Sequence, residues 1–209
     1  MHKLYFLVAI LFPPSVLSGQ EIAMSVSEIA SFKEQVAVSS KSTTTIVSDF
    51  VQYKHMDFLA NDIETSGKLA FKAPSLVKWE YTEPYQYSVI FKEDKLLIND
   101  GGTKSDVDIG SSKMFKKLNE LIVDSVKGNM FDEDDFTISY TKTSKGNKAT
   151  FKPRDKKIEG YISSFELFFN KKDGAVQEVK MIEPSTDFTR IVFSNRVLNS
   201  KVNDSVFNN

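Results

Sequence analysis

Few side chains in this 209-residue chain have the type and spacing for covalent or acid–base chemistry. Histidine occurs at His2 and His55 alone, and His2 stands in a leading segment that reads as removable. With one loop histidine left, a histidine-dependent triad or a metal site with several histidines is excluded. Cysteine is absent, which excludes a thiol nucleophile, a disulfide framework, cysteine-type zinc sites and lipid attachment at an N-terminal cysteine. The run Asp132, Glu133, Asp134 and Asp135 has the hard oxygens that calcium prefers, but not the alternating spacing or the glycine of a calcium loop. It reads as a solvated turn. The carboxylate pairs Glu80/Glu83 and Glu159/Glu166 have nothing beside them to hold glycosidase spacing. Gly101-Gly102 lies in neither a phosphate loop nor a dinucleotide fingerprint. An enzyme is not excluded by these residues, but no nucleophile and base pair presents itself among them.

What the chain offers instead is apolar surface. From Ser66 to Asp100, four runs of alternating apolar and polar residues are separated by Pro74, by Glu83-Pro84 and by Glu93-Asp94, the pattern of a strand meander. Leu69 and Phe71, then Val77, Trp79 and Tyr81, then Tyr87, Val89 and Phe91 fall at alternate positions, so each set shares one face of its strand. Just upstream, Thr44 to His55 reads as a strand with apolar groups on both faces: Ile46 and Phe50 on one, Val47, Val51 and Tyr53 on the other. Its facing stays open. An apolar sheet face needs a cover, and Lys113 to Lys127 reads as a helix suited to the role. Met114, Phe115, Leu118, Leu121, Ile122 and Val126 form its apolar stripe, and Gly128 stands where it ends. Its flexible apolar side chains, Met114 among them, suit a lid as well as a layer.

The remaining elements frame this centre. Met1-His2-Lys3, the apolar run Leu4–Phe12 and the modest side chains near Ser18 have the layout of a secretory signal peptide over residues 1–18, too short to span a bilayer. No other stretch is long and apolar enough to span, so an exported, soluble domain over residues 19–209 is expected. Ser25 and Glu28 have capping-box spacing, and Ile29, Phe32 and Val36 follow at helical intervals, predicting a helix over about 27–40. Val107–Gly110 reads as a short strand. Further strands follow around Phe136–Tyr140, Ala149–Lys152, Phe165–Phe169, Val179–Met181 and Phe188–Asn195, with turns at Lys145-Gly146-Asn147 and Lys172-Asp173-Gly174. The total is about nine to eleven antiparallel strands with two helices, a mainly β (α+β) fold. The pattern does not distinguish a curved open sheet from a closed barrel. A formal net charge of −1 with scattered lysines does not favour a nucleic-acid partner.

The stretch Gly67-Lys-Leu-Ala-Phe-Lys-Ala-Pro-Ser-Leu-Val-Lys-Trp-Glu-Tyr-Thr-Glu-Pro resembles the periplasmic outer-membrane lipoprotein carrier proteins, the LolA-like family. The likeness extends upstream to Ser48-Asp49-Phe50-Val51-Gln52 and downstream through Lys95–Asn99; beyond Asp100 it holds by order and length. The resemblance implies an unclosed antiparallel β half-barrel whose helices cover an apolar cavity on the concave face. It further implies a periplasmic, cofactor-free carrier, expected as a monomer, that takes acylated lipoproteins from an inner-membrane ABC-type release complex to an outer-membrane acceptor. By position, Phe50, Leu69, Phe71, Val77, Trp79, Tyr81, Val89 and Phe91 are the cavity residues it implies, and Met114, Phe115, Leu118 and Ile122 those of the lid. Where members carry a lid-latching arginine immediately before the proline, this chain has Ala73, so closure rests on apolar contacts or on a latch elsewhere. A lipid- or glycolipid-binding accessory or envelope-sensing protein of the same fold is the alternative. If the stripe is a lid, Phe115→Asp and Leu118→Asp weaken binding of a fluorescent fatty acid far more than Lys117→Asp; equal losses in a titration would contradict it.

Overall fold

Strict alternation between turn-forming tips folds most of this chain into strands. The structure is a computed structural model that describes residues 21–109, 130–131 and 133–208; the expected signal peptide and the expected helix over 113–127 lie outside the described residues. The strands are β1 (Ile22–Ala23), β2 (Thr45–His55), β3 (Ile63–Lys72), β4 (Leu76–Glu83), β5 (Tyr87–Lys92), β6 (Lys95–Asp100), β7 (Thr103–Asp108), β8 (Phe136–Lys142), β9 (Asn147–Pro153), β10 (Ser164–Phe169), β11 (Val176–Ile182) and β12 (Phe188–Leu198). They form one antiparallel sheet in the order β1-β8-β9-β10-β11-β12-β2-β3-β4-β5-β6-β7, whose outer strands β1 and β7 do not pair with each other. The fold is therefore the expected mainly β class, open rather than closed. Its twelfth strand is β1, two residues paired with Lys142 and Thr141, too short for periodicity to reveal. The strand expected at Val107–Gly110 is Thr103–Asp108 instead, because Asp100-Gly101-Gly102-Thr103 closes a tight hairpin and β7 pairs from Thr103 onward.

The sheet is two meanders, β2–β7 and β8–β12, joined by β2 against β12. That ladder runs from Phe188 opposite His55 to Leu198 opposite Ile46, with one irregularity between Ser194 and Val197. It settles the facing of β2. Phe50 lies opposite Phe193 on one side and Gly67 on the other, so Ile46, Ser48, Phe50 and Gln52 face the concave side. Val47, Val51 and Tyr53 face outward, where the Arg190 guanidinium lies 4.4 Å over the Tyr53 ring.

The helix α1 (Val26–Lys41) begins with the expected capping box: the Glu28 backbone N–H donates to Ser25 Oγ and the Glu28 carboxylate accepts from the Ser25 N–H. It lies across the concave face of β8–β10 through Phe32 and Val36, both buried. The Phe32 ring meets Phe169 edge-on at 4.9 Å and Phe131 at 5.6 Å. Polar ties hold both ends of the helix. Lys142 Nζ donates to Glu28 at 2.5 Å; this bond, with the Ser25 contacts, lowers the Glu28 carboxyl to about 2. Gln35 Nε2 donates to Lys171 O at 3.0 Å. Gly174, with φ +67, packs so close to Gln35 and Val36 that a Cβ would come within 3.2 Å of Gln35 Cγ. Asn199 then ties the C-terminal end of the helix to β2, accepting from Thr44 N at 2.7 Å and donating to Ser42 O at 2.8 Å.

On the outer face the C-terminal tail crosses β3–β5. Lys72 Nζ bonds Val202 O and Asp204, and Lys92 Nζ donates to Asn208. Phe207, in a 3-10 turn over Asp204–Phe207, and Ile90 are fully buried. On the inner face, a bulge between Ser66 and Gly67 folds the β4 backbone over Gly67, where a Cβ would stand 2.0 Å from Glu80 O. Only glycine fits there. Gly67→Ala is therefore expected to cost about 1–3 kcal/mol through forced backbone movement, read as a lower urea midpoint with unchanged slope; an unchanged midpoint would contradict the close approach.

Candidate functional site

Strands β2–β7 and β9–β12 send concave-face residues toward one space, because antiparallel pairing in register carries the facing of each strand to its neighbour. The result is a cavity of about 640 Å³, within the range of about 300–1,000 Å³ typical of small-molecule sites. One wall comes from the first meander: Leu69 and Phe71 of β3, Trp79 and Tyr81 of β4, Val89 and Phe91 of β5, with Ile98 of β6. The other comes from the second: Phe165 and Leu167 of β10, Val179 and Met181 of β11, Ile191 and Phe193 of β12.

Six of the positions singled out in the sequence, Leu69, Phe71, Trp79, Tyr81, Val89 and Phe91, thus stand together on the cavity wall. Phe50 and Val77 share the face without reaching the space. Phe50 is 1 % exposed and Val77 0 %, and the Phe50 ring sits edge-on beneath Trp79 at 5.0 Å and Tyr81 at 5.1 Å. They support the wall from below. Met114, Phe115, Leu118 and Ile122 lie outside the described residues. The second wall was visible only as separate alternating strands; nothing in their own periodicity says that they look into the same space as Trp79. Ala73 is exposed at the β3–β4 turn, its N–H donating to Thr44 O at 2.8 Å.

Polar groups on the wall are few and mostly satisfied. Tyr81 donates its hydroxyl to Gln52 Oε1 at 3.0 Å, and burial, with Tyr85 and Tyr87 nearby, pushes its pKa up to about 12. It stays neutral across the physiological range. Ser48 Oγ donates to Ser194 O at 2.7 Å. The groups with potential for acid–base chemistry lie elsewhere. His55 stacks on Phe188 at 4.7 Å at the far end of β2, and its bond to Asp62, with a smaller contribution from Asp57, holds its pKa above the ordinary imidazole value. Glu80 pairs with Lys78 on the outer face at 2.9 Å, Glu166 with Lys148 at 3.2 Å and Glu159 with Lys156 at 2.8 Å. Glu133 of the acidic run pairs with Lys33 of α1 at 2.9 Å; its neighbour Asp132 is outside the described residues. Among the described residues no three His, Asp or Glu side chains gather as a metal site.

Such a cavity has the apolar surface to shelter hydrocarbon chains, and among its described lining residues no nucleophile stands beside a base. Its walls and its supports carry different loads. Phe50→Ala should cost about 3–5 kcal/mol, as deletion of a packed ring does, whereas Val89→Ala, which trims a side chain facing open space, should cost well under half of that. Comparable losses in urea unfolding would mean that Phe50 is not the support.

Residues 41–209 match the family model described as outer membrane lipoprotein carrier protein LolA. No curated protein matches the chain. Among solved structures, a crystal structure of MucB shares 10 % identity with a TM-score of 0.53, over 88 % of this chain and 64 % of that one. A chain of the Pseudomonas aeruginosa MucA/MucB complex shares 10 % identity with a TM-score of 0.52, over 86 % of this chain and 60 % of that one. A LolA superfamily protein from Nitrosomonas europaea is 9 % identical with a TM-score of 0.46, over 86 % and 97 % of the two chains. This chain thus spans less than two thirds of the first two of these chains, and at such identities their likeness to it is one of fold.

Proposed function

We propose, from the premise that this chain belongs to the LolA outer-membrane lipoprotein carrier family, that it is a periplasmic carrier. It holds the acyl chains of lipoproteins in its concave cavity and moves them from the inner to the outer membrane. The observation that carries this reading is the apolar space between the two meanders, walled by β3–β6 and β9–β12 almost wholly with aliphatic and aromatic side chains. The leading segment with signal-peptide layout supports an envelope location, and the paucity of polar groups on the wall supports cargo recognised by its chains.

The energetics suit a shuttle. Each buried methylene is worth about 0.8 kcal/mol against water, but an acyl chain in a bilayer is already buried to a similar degree. Transfer from membrane to cavity therefore runs close to balance, and small differences at a release complex and at an acceptor set its direction. The expected partners are an ABC-type release complex in the inner membrane and an acceptor at the outer membrane. A second reading, a lipid-binding accessory protein that reports on the envelope to a membrane regulator, is favoured by the likeness in fold to a chain of the MucA/MucB complex.

Trp79 is the single tryptophan and stands on the wall, so its emission reports occupancy. A synthetic dipalmitoylated peptide should shift that emission saturably, and Val89→Asp or Met181→Asp should weaken binding at least tenfold, while Lys78→Glu on the outer face leaves it unchanged. The full-length protein should also release lipoproteins from spheroplasts. Saturable lipid binding without release would favour the accessory reading, and no binding at all would sink both.

A further inference from the structure

The β12 irregularity has a specific effect. Ser194 pairs with Asp49 and Val197 with Val47, so Asn195 and Arg196 together stand against Ser48. Asn195 takes the left-handed conformation, φ 51, which asparagine tolerates better than most residues, and donates to Asp49 Oδ2 at 2.8 Å on the outer side. Plain alternation after Thr189, Ile191 and Phe193 would have aimed Asn195 inward and Arg196 outward. The extra residue reverses that. Arg196 lines the cavity and is the one charged side chain among its described lining residues.

Its surroundings make this end unlike the rest. Ser39, Ser40 and Thr43, at the close of α1 and just beyond it, line the same space with Gly174 and Ala175, whereas the Tyr81–Gln52 pair on the wall is uncharged. Arg196 Nη2 donates to Asp173 Oδ2 at 2.5 Å, and its side chain is 25 % exposed. Asp173 is held by its own turn, its Oδ1 accepting from Ala175 N at 3.1 Å. A guanidinium has five N–H donors in a planar fork, so the bond to Asp173 leaves capacity for a second anion. A cation on an apolar wall carries a desolvation cost that an anionic ligand group relieves.

We propose that Arg196 is a docking point for an anionic group, a carboxylate or phosphate, joined by a short link to the acyl chain that fills the cavity. This rests on the cavity being the acyl-binding site. Such a group has two sources: the headgroup of a free lipid, or an acidic residue beside the acylated terminus of a lipoprotein.

Two competition titrations against a fluorescent acyl probe separate them, one with palmitate and hexadecanol, one with dipalmitoylated peptides carrying Asp or Asn next to the acylated residue. The native protein should prefer the anionic member of at least one pair by about tenfold, the arm that discriminates identifying the source, and Arg196→Gln should bind both members alike. Asp173→Asn guards against misfolding of that variant: by freeing Arg196 it should raise affinity for the anionic member severalfold and leave the neutral one unchanged. If the neutral probes bind but neither arm discriminates, or if the preference survives Arg196→Gln, the role of Arg196 is overturned. If no probe binds, the acyl-binding reading itself fails.

Discussion

The pairing of β2 with β12 is the interaction on which the rest of this molecule depends. It brings together segments such as Thr45 and Ser200, 155 residues apart in sequence, and closing such a loop from the unfolded chain costs about 4–5 kcal/mol on logarithmic scaling. The return comes from the face that the ladder completes, where Phe50, Trp79, Tyr81, Ile191 and Phe193 pack as one cluster. Without it, β2–β7 and β8–β12 would be two separate meanders, and the apolar face of β2–β7 would have nothing opposite it. With it, the two faces become opposite walls of one space.

That space persists because the interior is divided. Over β8–β10 the concave face is covered by α1, whose Phe32 and Val36 complete a packed cluster with Phe151, Phe165 and Phe169. Over β3–β6 the same face is supported from within by Phe50 and Val77, while Trp79, Tyr81 and Val89 stay half-buried. A sheet supported in this way keeps its shape with its inner surface open, which a binding protein needs and a purely structural core does not. The outer face is held independently by the tail through Lys72, Lys92 and Phe207. Filling or emptying the cavity therefore need not disturb the outer packing.

Much of the architecture was legible in the residues. Alternation located the strands, and Ser25 with Glu28 marked the start of α1 within a residue. The Gly67–Pro84 stretch pointed to the family that the model over residues 41–209 shows. The first wall of the cavity was legible for the same reason: Leu69, Phe71, Trp79, Tyr81, Val89 and Phe91 lie on consecutive, hairpin-linked strands whose facing is shared locally. What could not be seen was which of the sharing residues reach the space and which lie beneath. Phe50 and Val77 have the same alternation as Trp79, and only tertiary neighbours seal them in: the Trp79 and Tyr81 rings over Phe50, and Phe71 and Phe91 on the strands either side of Val77.

The sequence by itself thus determined most of the strands, the start of α1 and the side chains available, because these follow from residue type and local period. Tertiary structure decided that β10–β12 face the same space as β3–β5, that α1 covers one half of it, and that Arg196 points inward. The reason is physical. A period of two defines faces within a strand and is silent between strands; relative facing comes from register, which distant pairing sets, and a single extra residue at Asn195-Arg196 reverses every side chain beyond it.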